Sequence, residues 1–282
     1  MTGGRIEYNW KELLQLGQKT LEQDNIADAS LDAWYLLAYV SGMNRADFFL
    51  KQEEMPGQEQ ITQFLELIEQ RRRHIPLQHL VGSSEFMGLE FITGPQALIP
   101  RQDTETLVEA LCPLVKGKRV LDLCTGTGCI AISLKLLGEA AQVDGVDLSE
   151  DALALAERNA KKLQADVHFW KSDMWSQVRD CYDIIVSNPP YIARAEVETL
   201  MPEVREHEPR MALDGGEDGL DFYRQIAEHA GKHLTPNGML WLEIGYDQRE
   251  SVSRLLEQNG FIQIGSLKDL CGKDRVVFGS RG

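Results

Sequence analysis

Apolar residues recur at helical spacing along residues 8–74: Trp10, Leu13, Leu14 and Leu21, then Leu31, Trp34, Leu36, Leu37 and Val40, then Ile61, Phe64, Leu65 and Ile68. A 3.6-residue period predicts three amphipathic helices, with Phe48–Leu50 in a short fourth. Ser30 or Asp28 is placed to cap the second helix, Gly42 to end it, and Pro56-Gly57 to open the loop before the third. The region therefore reads as a small helical bundle. Arg71-Arg72-Arg73-His74 falls at a helix C-terminus, where cations complement the dipole; the same run would also serve as a contact patch for an acidic partner.

From Leu80 to Pro100 the rhythm breaks into short extended pieces, Phe86–Phe91 and Ala97–Pro100, separated by Gly94-Pro95, which predicts a hairpin linker. After Arg101 strands alternate with helices. Arg119–Leu123 leads into a helix ending at Leu137, Gln142–Asp147 into a helix over Glu150–Leu163, and Val167–Lys171 and Tyr182–Ser187 follow. A helix over Leu220–His233, a strand over Met239–Ile244, a helix over Gln248–Asn259 and strands Phe261–Ser266 and Arg275–Gly279 complete the chain. Such alternation predicts an α/β fold, a mainly parallel sheet with helices on both faces. The last two strands are too close in sequence for a parallel crossover and should pair antiparallel. The expected division is a helical domain over 1–80, a hairpin linker over 81–100 and a sheet domain over 101–282.

Composition narrows the function classes. At 282 residues the chain suits one large domain or two unequal ones, and 43% hydrophobic with 26% charged residues is ordinary for a globular protein. The net charge of −15 is spread, with 8 basic against 14 acidic side chains over residues 1–100 and 21 against 30 over the rest. No basic half exists to neutralise a polyanion, which argues against direct nucleic-acid binding. Met1–Gly17 lacks the apolar core of a signal peptide, and the apolar-rich Leu31–Met43 is shorter than the ~20 residues a membrane span needs, so the expectation is a cytoplasmic chain with no membrane contact. Cys112, Cys124, Cys129, Cys181 and Cys271 form no C-x-x-C pair and read as reduced core thiols, with no metal site.

The chemistry concentrates at strand ends. Val120-Leu121-Asp122-Leu123 runs into Cys124-Thr125-Gly126-Thr127-Gly128 and then a helix, a glycine-rich turn that lets backbone approach a ligand. By itself this loop fits a dinucleotide, S-adenosylmethionine or a tight turn without ligand. Asp147 ends the next strand, where a carboxylate can accept from both hydroxyls of an adenosine ribose; in Asp-Leu-Ser-Glu it can equally cap a helix. Asn188-Pro189-Pro190-Tyr191 follows the fourth strand, and in an open α/β sheet it faces the crevice shared by Gly126 and Asp147. Two prolines stiffen the turn and remove two donors, leaving an array of acceptors. A planar NH2 group can donate one hydrogen to the Asn188 side-chain oxygen and the other to the Pro189 carbonyl, with Tyr191 over its face. None of the six histidines is required; His229 and His233 read as helix surface.

With these motifs the chain resembles S-adenosylmethionine-dependent methyltransferases that alkylate planar nitrogens, a set that includes DNA adenine-N6 and protein glutamine-N5 enzymes. Glu208–Arg224 (EPRMALDGGEDGLDFYR), Glu243–Gln248, Lys268–Leu270 and Gly272–Arg275 are similar to the glutamine enzymes in particular, as is Leu98–Glu105, in which Gln102 replaces the usual proline. The likeness runs the whole length and is greatest to the peptide chain release factor glutamine methyltransferases. It implies a Rossmann-like class I methyltransferase domain behind a helical substrate-recognition domain, with release factors as protein substrate. It also implies a cofactor loop over Cys124, Thr125, Gly126, Thr127 and Gly128, a ribose acid at Asp147, an adenine-side residue at Met174, Asn188 at the junction, and a catalytic amide clamp over Asn188, Pro189, Pro190 and Tyr191. Methylation of a ribosomal protein glutamine or of DNA adenine shares the clamp, though the second would bring a basic face that is not seen; a module that binds the cofactor without catalysis is the third reading.

Overall fold

The computed structural model describes residues 8–282, so the first seven residues of the N-terminal reading and of the 1–80 domain lie outside it. The helices are α1 (Trp10–Gln23), α2 (Ala29–Ser41), α3 (Arg45–Lys51), α4 (Gln58–Arg72), α5 (Leu77–Val81), α6 (Gln102–Leu111), α7 (Cys129–Leu136), α8 (Glu150–Leu163), α9 (Arg194–Val197), α10 (Pro202–His207), α11 (Asp221–His233) and α12 (Arg249–Gln258). The strands are β1 (Ser83–Phe86), β2 (Leu89–Ile92), β3 (Arg119–Leu123), β4 (Gln142–Asp147), β5 (His168–Lys171), β6 (Tyr182–Ser187), β7 (Leu234–Glu243), β8 (Phe261–Lys268) and β9 (Asp274–Arg281). They divide into two compact units: the described residues up to Gly82 with Pro202–His207, and Ser83–Met201 with Glu208–Gly282.

In the helical unit, α1 and α3 start on capping boxes, Asn9 with Glu12 and Asn44 with Asp47, in which each partner satisfies an orphan N–H of the other. Asp28 sits at the N-cap of α2 without a side-chain capping bond, and Ser30 lies inside the helix. Trp10, Leu13, Leu21, Leu36, Leu37, Phe64 and Ile68 bury their stripe in a common core, while Leu31 stays 46% exposed. Arg71 is not a surface cation. It is buried between Asp32 at 2.6 Å and Glu203 at 3.0 Å, and Arg72 is held by Asp24 at 2.6 Å. Burial pushes the Asp32 carboxyl up against the pull of Arg71. The contact-patch reading of the basic run therefore fails at Arg71, whose charge is already neutralised within the unit.

In the second unit, β1 and β2 form an antiparallel hairpin that turns at Met87-Gly88, both at positive φ as a two-residue hairpin turn requires. The expected strand Phe86–Phe91 is thus two strands and a turn, and Ala97–Pro100 is not a strand. The main sheet has seven strands in the order β5-β4-β3-β6-β7-β9-β8. β3 pairs parallel with β4 and β6, and β6 with β7; β9 enters antiparallel between β7 and β8, as the short connection between the last two strands predicts. The strand order reverses beside β3, where β4 and β5 lie to one side and β6 to the other, so a crevice opens at the carboxyl ends of β3 and β6. Cores lie on both faces, with Val120, Ile184 and Trp241 on one and Leu121, Ile185 and Leu240 on the other, the alternation expected of strands covered on both sides. Among the described residues no helix is long and apolar enough to cross a membrane. All five cysteines are unpaired, but Cys181 and Cys271 are exposed, so the reading of core thiols does not hold for them.

Candidate active site

At the end of β3 the chain turns through Cys124, Gly126 and Gly128, all at positive φ, before α7 begins. Asp122 organises this turn from inside the sheet. It is wholly buried, and its Oδ2 accepts from the Thr125 hydroxyl at 2.7 Å and the Ala131 N–H at 3.2 Å. Burial pushes its carboxyl up to about 7 against those two hydrogen bonds. Asp147, half-buried at the end of β4, accepts from the N–H of Gly126 at 2.9 Å and of Ser149 at 2.9 Å, so it ties the glycine turn to the neighbouring strand; Ser149, not Asp147, caps α8. Burial raises the Asp147 carboxyl. Met174 is buried with φ +46, and its Sδ lies 3.9 Å from the Cys124 Sγ.

Asn188 leaves the end of β6 beside this loop. Directly after the tetrapeptide it begins, the chain is tied to the segment Glu208–Arg224 through backbone hydrogen bonds: Ile192 N–H to Leu213 O at 3.0 Å, Gly215 N–H to Ile192 O at 2.8 Å, and Arg194 N–H to Gly216 O at 2.8 Å. The approach is so close that a Cβ on Gly215 would stand 2.8 Å from the Pro190 oxygen, and one on Gly219 (φ +74) 2.4 Å from the Tyr191 oxygen. Only glycine fits there. Gln248 completes the buttress, donating to the Tyr191 carbonyl at 2.8 Å while its Oε1 accepts from the Gly245 N–H at 2.9 Å. The stretches Glu208–Arg224 and Glu243–Gln248 thus hold the Asn-Pro-Pro-Tyr backbone in place.

A cavity of about 590 Å³ opens over these elements. Cys124, Thr125, Gly126, Thr127, Asp147, Met174, Asn188 and Pro190 all line it. Three expected site residues do not. A Cβ on Gly128 would meet Ala156, Phe169 and Ile132, and Pro189 is buried. Tyr191 packs on the core with its hydroxyl 3.4 Å from Glu243 Oε1.

Several residues of the site carry no role in the sequence reading. Thr104, 2% exposed on the first turn of α6, accepts from Asn188 Nδ2 at 3.3 Å. Glu243, 1% exposed at the end of β7, is pushed up to about 7 by burial, against the Thr104 hydroxyl, the Arg275 charge and the Tyr191 hydroxyl, which lower it. Arg275 in turn is held by Asp269 and Asp103, both at 3.0 Å. Arg101 lines the cavity and pairs with the buried Glu208. A carboxylate closing the apolar run Met-Leu-Trp-Leu-Glu was the available signal for Glu243. For Arg101 and Thr104 the available signal was the likeness of Leu98–Glu105 to the glutamine enzymes.

A seven-stranded sheet closed by an antiparallel hairpin, with a glycine turn after its first strand and an acid after its second, is the frame of a class I methyltransferase. The comparisons agree. The Methyltransferase small domain model matches residues 101–217, and a solved methyltransferase from Pyrococcus furiosus shares the fold with a TM-score of 0.55 at 20% identity, over 70% of this chain and 91% of that one. The PrmC N-terminal domain model matches residues 12–82. A release factor glutamine methyltransferase of Geobacter sulfurreducens is 40% identical over 96% of each chain, and one of Agrobacterium fabrum is 42% identical over 98% of this chain and 99% of its own. The chain belongs to the release factor glutamine methyltransferase family.

Proposed function

We propose that this protein transfers a methyl group from S-adenosylmethionine to the side-chain amide nitrogen of a glutamine in a peptide chain release factor, in the cytoplasm. The observation that carries the reading is one cavity lined by both the glycine turn with Asp147 and by Asn188 with Pro190. Its volume of about 590 Å³ falls in the range of small-molecule sites and suits a nucleoside-sized cofactor with a side chain beside it. The residues fit S-adenosylmethionine: the glycine turn offers backbone N–H groups, Asp147 an acceptor for ribose hydroxyls, and Met174 with Cys124 a soft wall on the adenine side. That cofactor supplies an electrophilic methyl group on a sulfonium.

Amide nitrogen is a poor nucleophile because its lone pair is delocalised, so the protein's task is positioning. The Asn188 oxygen, on the cavity lining, holds one N–H bond of the glutamine amide, and fixed orientation of this kind contributes up to ~7 to 11 kcal/mol. As positive charge develops on the nitrogen, the same dipole stabilises it. The buttress of Gly215, Gly219 and Gln248 keeps the turn that carries it from relaxing away.

The helical domain over residues 1–80 recognises the protein substrate. Transfer of labelled methyl to a purified release factor, with peptide mapping to a single glutamine, tests the reading; labelling of DNA adenine or of a ribosomal protein instead would overturn it. Comparing the whole substrate with a short peptide that carries the same glutamine tests the helical domain's role: the whole protein should be the better substrate by at least tenfold in kcat/KM, and equal values would remove that role.

A further inference from the structure

We propose that Thr104 and Glu243 set the polarity of the acceptor site, forcing Asn188 to turn its carbonyl oxygen, and not its NH2, toward the substrate amide. The inference rests on the reading of the site as a glutamine methyltransferase and assigns to it two positioning residues. An asparagine side chain offers an acceptor on one branch and two donors on the other, and a half-turn exchanges them. For an amide substrate that exchange is decisive, since an NH2 facing an NH2 repels where an oxygen accepts.

Hydrogen-bond bookkeeping along the chain of contacts fixes the choice. Above about pH 7, where its proton has left, Glu243 is acceptor-only, and it is faced by the Arg275 charge and the Tyr191 hydroxyl, with Asp103 beyond. Its Oε2 is buried with no partner at full hydrogen-bond geometry, so the carboxylate has acceptor capacity to spare. The Thr104 hydroxyl, its neighbour, has one proton to give. Once that proton points at Glu243, only lone pairs remain for Asn188, which must offer its NH2; the observed contact is Nδ2 to Thr104 Oγ1 at 3.3 Å. Every donor then points toward Glu243, and Asn188 Oδ1 is left for the cavity that the residue lines. A buried carboxyl at the end of an apolar strand costs desolvation that a leucine would not. Fixing this direction gives it a purpose that packing does not.

The test uses the full chain with Thr104→Val, which keeps the shape and removes the hydroxyl, Thr104→Ser, which restores it, and Glu243→Gln, which keeps the volume and introduces a donor. Calorimetric binding of S-adenosylmethionine, expected within threefold of wild type in all three, reports that the fold is intact. Turnover should fall at least tenfold in Thr104→Val and in Glu243→Gln, with KM for the protein substrate within threefold, and recover to within threefold of wild type in Thr104→Ser. Turnover of Thr104→Val within twofold of wild type would overturn the proposal, as would a Thr104→Ser variant as slow as Thr104→Val, since the γ-methyl would then be what matters. A second readout is independent of methyl transfer: the Asn188 side-chain amide protons, followed by ¹⁵N NMR, should exchange at least tenfold faster in Thr104→Val. Unchanged exchange would overturn the polarity argument even if the wild type proved to methylate another substrate. Absence of glutamine methylation by the wild type, with exchange altered as expected, would instead fault the functional reading and leave the side-chain polarity standing.

Discussion

Two wholly buried carboxyls, Asp122 in β3 and Glu243 at the end of β7, organise the two halves of the cavity by different means. Asp122 holds the cofactor-side turn through partners three and nine residues further along the chain, Thr125 and Ala131. Glu243 works on the acceptor side through Tyr191, 52 residues away, and Thr104, on a helix at the start of the domain. The first is a local device, closed as soon as strand, turn and helix form. The second exists only when the sheet has assembled and α6 has packed, so damage to it should alter chemistry while leaving the loop that receives the cofactor.

The largest expected separation between the halves is at Asn188. Asn188→Ala removes an acceptor aimed at developing charge, so turnover should fall by ~10²-fold or more, with S-adenosylmethionine affinity within threefold of wild type. Near-normal turnover in a folded variant would break the assignment of the acceptor half. Asp122→Ala should show the reverse pattern. It leaves the Thr125 hydroxyl and Ala131 N–H without their acceptor, a loss of ~1 to 3 kcal/mol for an unpaired buried group, read as at least tenfold weaker cofactor binding by calorimetry while turnover at saturating cofactor stays within threefold.

The two carboxyls should also be visible in stability against pH. Each is raised to about 7 in the folded protein, from 3.8 for Asp122 and 4.5 for Glu243. Between those limits the folded state holds protons that the unfolded chain has released. Their contribution is therefore fully present below about pH 4 and is lost as pH rises through about 7. Denaturant unfolding at pH 5 and pH 8 should give a wild-type loss that Glu243→Gln reduces by ~1 to 3 kcal/mol; an equal loss in the variant would show that Glu243 does not hold its proton.

The smallest effect sharpens the local half. Cys124 stands at φ +60, where an L residue carries ~1 to 2 kcal/mol of strain. Cys124→Gly relieves that strain but loses the contact with Met174 Sδ and adds unfolded-state entropy of ~0.5 to 1 kcal/mol. The unfolding free energy should stay within ~1 kcal/mol of wild type; a loss above ~2 kcal/mol would mean that the thiol contact outweighs the backbone.

Much of this architecture was legible in residue order, because it depends on neighbours. The 3.6-residue stripe of Trp10, Leu13, Leu37, Phe64 and Ile68 marks the helical core, and the run of strand, glycine turn and helix marks the Cys124–Gly128 loop. The antiparallel closing hairpin follows from the length of its connection. Tertiary structure decided what depends on residues far apart. It consumed Arg71 in a buried pair with Asp32 and Glu203, turned the chain at Met87-Gly88 where no strong turn dipeptide stands, and left Pro189 and Tyr191 out of the cavity lining. It also brought Thr104 to Asn188 across 84 residues and placed a carboxylate beside both Thr104 and Tyr191. The reason is physical: periodicity and turn chemistry report short-range sterics and burial, whereas the direction in which a buried hydroxyl or amide points is settled by whichever donors and acceptors the assembled sheet leaves beside it.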